Sequence, residues 1–192
     1  FSMEPKFHGK RTKDAKDIKD VYNTCQLTTH VKIPFTGVGK SLHQTIEHTI
    51  SKQQEGKCIV EGYVKIGSVQ VISHSSGVLK GSDVLFDIVY NCKVCFPVAG
   101  MKFECIAENI TKAGIRAESA DETPSPFIVL ISRDHFYSNE EFASIKKGDK
   151  ITVRVIAQRF ELNDKFISII AELVPRDRKS LTTKKAMLIM ED

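Results

Sequence analysis

The sequence predicts an α+β chain that is mostly β: a small N-terminal sheet with one packed helix, followed by a five-stranded barrel. Three observations carry this. Residues 84–96, VLFDIVYNCKVCF, place Val84, Phe86, Ile88, Tyr90, Cys92, Val94 and Phe96 on one parity and Asp87, Asn91 and Lys93 on the other, the period-two pattern of a strand. Leu42, Ile46 and Ile50 recur every four residues, a narrow apolar stripe that a helix lays on a sheet. After Pro97 come five short β-type runs separated by turn signals, the spacing of a small barrel.

Residues 1–24 hold six Lys/Arg and four Asp/Glu, with Ile18, Val21 and Tyr22 as late apolar anchors. A segment that can bury so little is expected to be mobile or to order on a partner. The alternation of Leu27, Thr29, Val31 and Ile33 predicts a strand closed by Pro34. Ser41 and Gln44 have capping-box spacing at the head of a helix of about 12 to 14 residues, which Glu55 and Gly56 end. Residues 58–64 and 69–72 read as two more strands, with turns at 74–77 and 80–83. The long strand follows, and at a rise of about 3.3 Å per residue it would span roughly 43 Å, far beyond the usual strand of about 5 to 6 residues. It is therefore expected to serve two cores.

In the second half, strands are expected at 102–110, 115–118, 127–131, 151–160 and 166–173. A tight turn falls at 111–114, a proline-punctuated loop at 119–126, a short helical or irregular connection at 139–147 and a hairpin turn at 162–165. Five strands with the longest connection between the third and fourth is the order of an OB barrel. The expected units are a tail at 1–24, an N-terminal domain at 25–97, an OB domain at 98–174 and a second tail at 175–192.

Hydrophobic content of 41% and charged content of 27% are those of a soluble globular chain. No run approaches the roughly 18 apolar residues of a membrane span, and there is no signal-peptide pattern, so no membrane partner is expected. Cys25, Cys58, Cys92, Cys95 and Cys105 are odd in number and scattered, which reads as free thiols in a reducing, intracellular compartment. The net charge is +4, of which residues 1–24 and 175–192 carry +2 each. The stretch between them is neutral, so nucleic-acid binding would not rest on bulk charge.

Gly39, Lys40 and Ser41 look like the end of a phosphate-binding loop, but Pro34 stands where its first glycine belongs. A helix start capped by Ser41 explains the same residues. Cys92 and Cys95 have metal-ligand spacing, yet residues three apart on a strand face opposite ways, and no second pair accompanies them. They read as buried thiols. His43 and His48, five apart on the helix, lie on different faces. No catalytic residue, metal or cofactor is expected.

The second half carries a more specific pattern. A strand at 102–110, then Lys112 to Arg116 with Gly114 at the reversal, then the run ending Ile131-Ser132, then Gly148-Asp149 opening the fourth strand and Phe166 to Ile170 in the fifth, together resemble an S-one-type OB domain, an RNA-binding module. Upstream stand Ile33-Pro34-Phe35, the helix, Glu55 to Cys58, Gly62-Tyr63 and the long strand. In that order the whole resembles the seventh-largest subunit of eukaryotic RNA polymerase II and its archaeal counterpart, over residues 27–174.

The resemblance implies a non-catalytic polymerase stalk subunit. Its first domain would dock on the polymerase core near the clamp, with Pro34, Phe35, Gly56, Gly62 and Tyr63 as docking candidates. It would pair with a smaller stalk subunit, and its OB domain would face nascent RNA. Such modules present aromatic residues on the second and third strands for base stacking and a histidine before the Ile-Ser, where this chain has Ile115, Ile128 and Leu130. RNA contact would then fall to Lys112, Arg116, Arg133, His135 and Lys165 on the binding loops. A cellular version would act in the nucleus or in an archaeal cytoplasm. A viral version, which the divergent tails and missing aromatics fit, would act in the infected-cell cytoplasm and enter the virion. The alternative is a free-standing OB-fold RNA-binding protein of the translation or RNA-decay type.

Overall fold

The computed structural model describes residues 20–135 and 139–175. The N-terminal unit contains β1 (Asn23–Pro34), α1 (Leu42–Gln54), β2 (Cys58–Ile59), β3 (Gly62–Val64), β4 (Gln70–His74), β5 (Val78–Lys80) and β6 (Asp83–Cys95). The thirteen-residue β6 is its central strand. One edge pairs antiparallel with β1 from Asn23↔Val94 to Pro34↔Asp83. The other edge takes β3, β4 and β5 in succession.

The parity read from the sequence sets this core. Val84, Phe86, Ile88, Tyr90, Cys92 and Val94 are all buried, and Ile46 and Ile50 of α1 are fully buried in the same cluster. Burying side chains of this size contributes about 1.5 to 3 kcal/mol each. The Tyr90 hydroxyl donates to Gln54 Oε1 at the end of α1, so its polar atom is not stranded.

Four local expectations need correction. β1 begins at Asn23, ahead of the readable alternation, because pairing along the whole of β6 overrides weak local preference. Residues 58–64 are two strands rather than one, with Ile59 paired to Gly62 across a tight reversal and Gly62 at φ +130°. β5 forms where only turns were expected; its three residues are all exposed, so no inward side chain marks it. Ser41 precedes α1 at φ −102°, ψ 22° and makes no side-chain cap. A capping side chain needs an extended backbone to reach the helix amides, and here the Leu42 amide instead donates to the Gly39 carbonyl, 3.1 Å.

The second unit is a closed barrel of β7 (Lys102–Ile110), β8 (Gly114–Ser119), β9 (Phe127–Ser132), β10 (Lys150–Arg159) and β11 (Ile167–Leu173), with a short α2 (Asn139–Ser144) between β9 and β10. Around the barrel the order is β10-β11-β9-β8-β7, and β7 pairs with β10 to close it. β9 and β11 are parallel; the other neighbours are antiparallel. This is an OB-like barrel. Alternate residues such as Phe103, Ile115, Phe127, Val153 and Ile169 fill it.

β6 ends in the joint between the units. Cys92 belongs to the sheet–helix core, whereas Cys95, with Cys58 and Tyr63, belongs to the barrel core. The joint is also tied by polar contacts. The Cys58 amide donates to the Asp164 carbonyl and the Asn163 amide to the Cys58 carbonyl, both 2.8 Å. Lys65 Nζ lies 3.1 Å from Glu122 Oε2, and the Phe96 and Phe160 rings meet edge-on at 6.1 Å. Val21 and Tyr22 pack against the barrel core. Of the two expected tails, residues 1–19 and 176–192 lie outside the described residues. No described helix is long and apolar enough to cross a membrane.

Candidate nucleic-acid interface and apolar tip

On the outside of the barrel, register brings Asn109, Arg116, Leu130 and Ile170 into one row across β7, β8, β9 and β11. Arg116 points outward because its neighbours Ile115 and Ala117 fill the barrel, and Leu130 does so because Val129 and Ile131 fill it. Leu130 and Ile170 stay about half exposed, at 49% and 47%, and floor a groove of about 440 Å³ bordered by Thr111, Gly114 and Ser132. Gly114 is required here: a Cβ would collide with the Ile131 carbonyl oxygen. Arg116 Nη2 lies 3.7 Å from Glu118 Oε1, so one cation borders an aliphatic floor.

Most of the cationic candidates gather at one end of this groove. The Arg133 amide donates to the Ala113 carbonyl, 3.1 Å, which draws the loop carrying Lys112 against the end of β9. The Arg133 guanidinium stands 5.8 Å from the Phe142 ring centre, and His135 closes the 3-10 turn Arg133–His135. Lys165 is elsewhere. It follows the turn that bonds Cys58, beside the start of β9, and six residues of β9 put roughly 17 Å between the two ends.

The stacking positions also shift. Ile115 is 2% exposed and lies inside the barrel, so Arg116 occupies the outward position on β8; a slip of one residue in a strand exchanges its faces. Ile128 and Leu130 do lie on the outer face. The sequence reading missed the Leu130–Ile170 floor, because the parallel register of β9 on β11 joins residues forty positions apart inside two near-continuous apolar runs.

The docking candidates divide in the same way. Pro34 and Phe35 lie at the Asp83 end of β6, roughly 40 Å from Cys95. The Phe35 amide donates to the Ser82 carbonyl, 2.9 Å. Phe35 and Leu79, each 64% exposed, edge a shallow depression of about 490 Å³ with Thr36 and Gly81. The structure places Gly62 and Tyr63 at the joint and Gly56 beside β3 in the N-terminal unit. Gly56, at φ +71°, follows α1 and donates to the Val64 carbonyl, 2.9 Å. Gly62 lies against Cys95, where a Cβ would strike the carbonyl oxygen. Tyr63 is buried between the units, and burial raises its hydroxyl pKa.

No known protein family's sequence profile matches the chain. Among solved structures, an uncharacterized protein of Methanocaldococcus jannaschii aligns with 18% identity over 43% of this chain and 99% of its own, with a TM-score of 0.34, too slight a likeness to bear on fold or function. Among curated proteins, the chain is similar to one of Acanthamoeba polyphaga mimivirus that is provisionally named a DNA-directed RNA polymerase subunit, 25% identical over 154 residues, 74% of this chain and 76% of the relative. That likeness supports an RNA polymerase subunit, without distinguishing which one.

Proposed function

We propose that the chain is a non-catalytic stalk subunit of a DNA-dependent RNA polymerase, which docks by its apolar tip near the clamp and turns its OB barrel toward nascent RNA. The observation that carries this is the path of β6: one strand runs from the exposed Phe35–Leu79 tip to the barrel, holding two surfaces of different chemistry at opposite ends. The tip is apolar and suits a protein partner. The groove at Arg116 combines cations with an aliphatic floor and suits single-stranded RNA held chiefly by its phosphates. Val60, Leu162 and Phe96, exposed on the elements that form the joint, offer a surface for a smaller stalk subunit. The viral likeness supports a polymerase setting; as a stalk subunit the chain would act in the nucleus in a cellular version, and in the infected-cell cytoplasm and the virion in a viral one.

Tagged chain expressed in its native source should copurify with the largest polymerase subunits and with one small subunit, and Phe35→Asp with Leu79→Asp should abolish this while leaving the circular dichroism spectrum unchanged. A chain recovered with RNA and without polymerase would instead support the free-standing RNA-binding reading, which the groove favours.

A further inference from the structure

We propose that Cys25 and Cys92 are a redox-reactive pair that closes into a cross-strand disulfide, a covalent site separate from the polymerase reading. The two residues face each other in the antiparallel ladder of β1 and β6. Directly opposed residues in such a ladder have Cα atoms about 4.5 to 5.5 Å apart and side chains on one face. A disulfide needs about 4.4 to 6.8 Å, so the bond asks for no rearrangement of the backbone.

Their surroundings divide the roles. Cys25 is half-buried near the start of β1, its Sγ 4.0 Å from the Asn23 carbonyl oxygen. Cys92 is 1% exposed, and burial, reinforced by Cys25, pushes its thiol up to about 11. Cys25 is thus the thiol a reagent can reach and Cys92 the one that resolves. With a low-molecular-weight disulfide such as oxidised glutathione as oxidant, the Cys25 thiolate attacks one glutathione sulfur, forms a mixed disulfide and releases one glutathione thiolate. Cys92 gives up its proton, attacks the Cys25 sulfur and displaces the second glutathione. Two protein thiols are oxidised, one glutathione disulfide is reduced to two thiols, and both protons end there.

The other cysteines are not placed for this. Cys58 and Cys95 flank Tyr63 in the row Cys58↔Tyr63↔Cys95, two strand spacings or about 9.6 Å apart, beyond disulfide reach. Cys105 lies in the barrel interior. Since Tyr22 and Cys95 both pack on the barrel core, a bond between Cys25 and Cys92 would clamp the ladder just where it enters the joint.

The test incubates the full chain in glutathione buffers of graded redox ratio, alkylates remaining thiols in denaturant and maps tryptic peptides by mass spectrometry. The expected product links residues 20–32 to residues 81–93, consumes two of the five thiols and raises the thermal midpoint by about 5 °C or more; dithiothreitol reverses both. Cys25→Ser, or Cys25→Ala should the serine destabilise the chain, removes the link and leaves Cys92 alkylated, whereas Cys105→Ser keeps it. A stable glutathione adduct on Cys25 with Cys92 still a thiol, a link between any other pair, or no oxidation across the series would overturn the proposal.

Discussion

Replacing Gly62 with alanine separates a role in the joint from a role in docking. Gly62 has φ +130°, a region in which side-chain-bearing residues cost about 1 to 3 kcal/mol. The added Cβ would also strike the Cys95 carbonyl oxygen and approach Val94 Cγ1 at 3.0 Å. The carbonyl cannot yield easily, because Tyr63 and Val64 are paired to Cys95 and Val94 in the ladder. Overpacking of this kind costs about 1 to 3 kcal/mol more. A total of about 2 to 6 kcal/mol is a large share of a domain stability of about 5 to 15 kcal/mol. With a urea slope of about 2 kcal/mol per M, the midpoint should fall by about 1 to 3 M. The chain contains no Trp, so circular dichroism is the readout. Gly67→Ala is the control: it also has positive φ, +76°, but its Cβ meets open space, so the loss should be about 1 kcal/mol, or about 0.5 M. Equal midpoints for the two variants, with only polymerase association lost in Gly62→Ala, would refute the joint reasoning and return Gly62 to the docking surface.

Three further outcomes are expected. Arg116→Ala should weaken single-stranded RNA binding and lower the log–log salt slope by about 0.7, whereas Lys165→Ala, at the other end of β9, should leave both unchanged; equal effects in filter binding would dissolve the groove as a site. Leu130→Phe should tighten RNA binding by up to about 1 to 3 kcal/mol by adding a stacking face to an exposed aliphatic floor, and unchanged affinity in a fluorescence titration would mean that bases do not lie there. Burial pushes the thiols of Cys58, Cys95 and Cys105 up to about 12 from an ordinary 9.0. The unfolded chain therefore releases these protons first, so stability is whole below about pH 9 and is lost as pH rises toward about 12. Urea midpoints should be flat between about pH 7 and 9 and fall above that, with a smaller fall in Cys105→Ala; a flat profile to about pH 11 would contradict the burial cause.

Much of the architecture was legible because hydrophobic parity survives in the sequence. The run from Val84 to Val94 announced both the longest strand and its buried face, and the opposite facing of Cys92 and Cys95 followed from period two alone. Leu42, Ile46 and Ile50 marked α1, although only the latter two are fully buried. What escaped is set by partners distant in sequence. β5 exists because β6 offers it an edge, and its residues carry no inward signal. The joint could not be read either, since Tyr63 looks like any strand aromatic until the ladder sets it between Cys58 and Cys95 and the turn at Asn163 and Asp164 bonds Cys58. Of the site, the cations were visible as charges on loops, but the row joining Asn109, Arg116, Leu130 and Ile170 needed the barrel's closure.

The same closure explains why two units can act as one lever. A partner holding only the tip at Phe35 and Leu79 acts on the barrel through the full β1–β6 ladder, some 40 Å of paired backbone. Such a ribbon resists stretching but twists readily, because two strands alone have no second layer to stiffen them. Here α1 covers one face with Ile46 and Ile50, and β3 and β4 extend the sheet beyond β6 near the joint. At the joint itself, the two Cys58 backbone bonds, the Lys65–Glu122 pair and the Phe96–Phe160 contact lie on different strands and loops. A twist that relieves one strains the others. Under the stalk reading, this places the groove at Arg116 at a fixed bearing from the docking tip, so weakening the joint should misdirect the barrel before it unfolds either core.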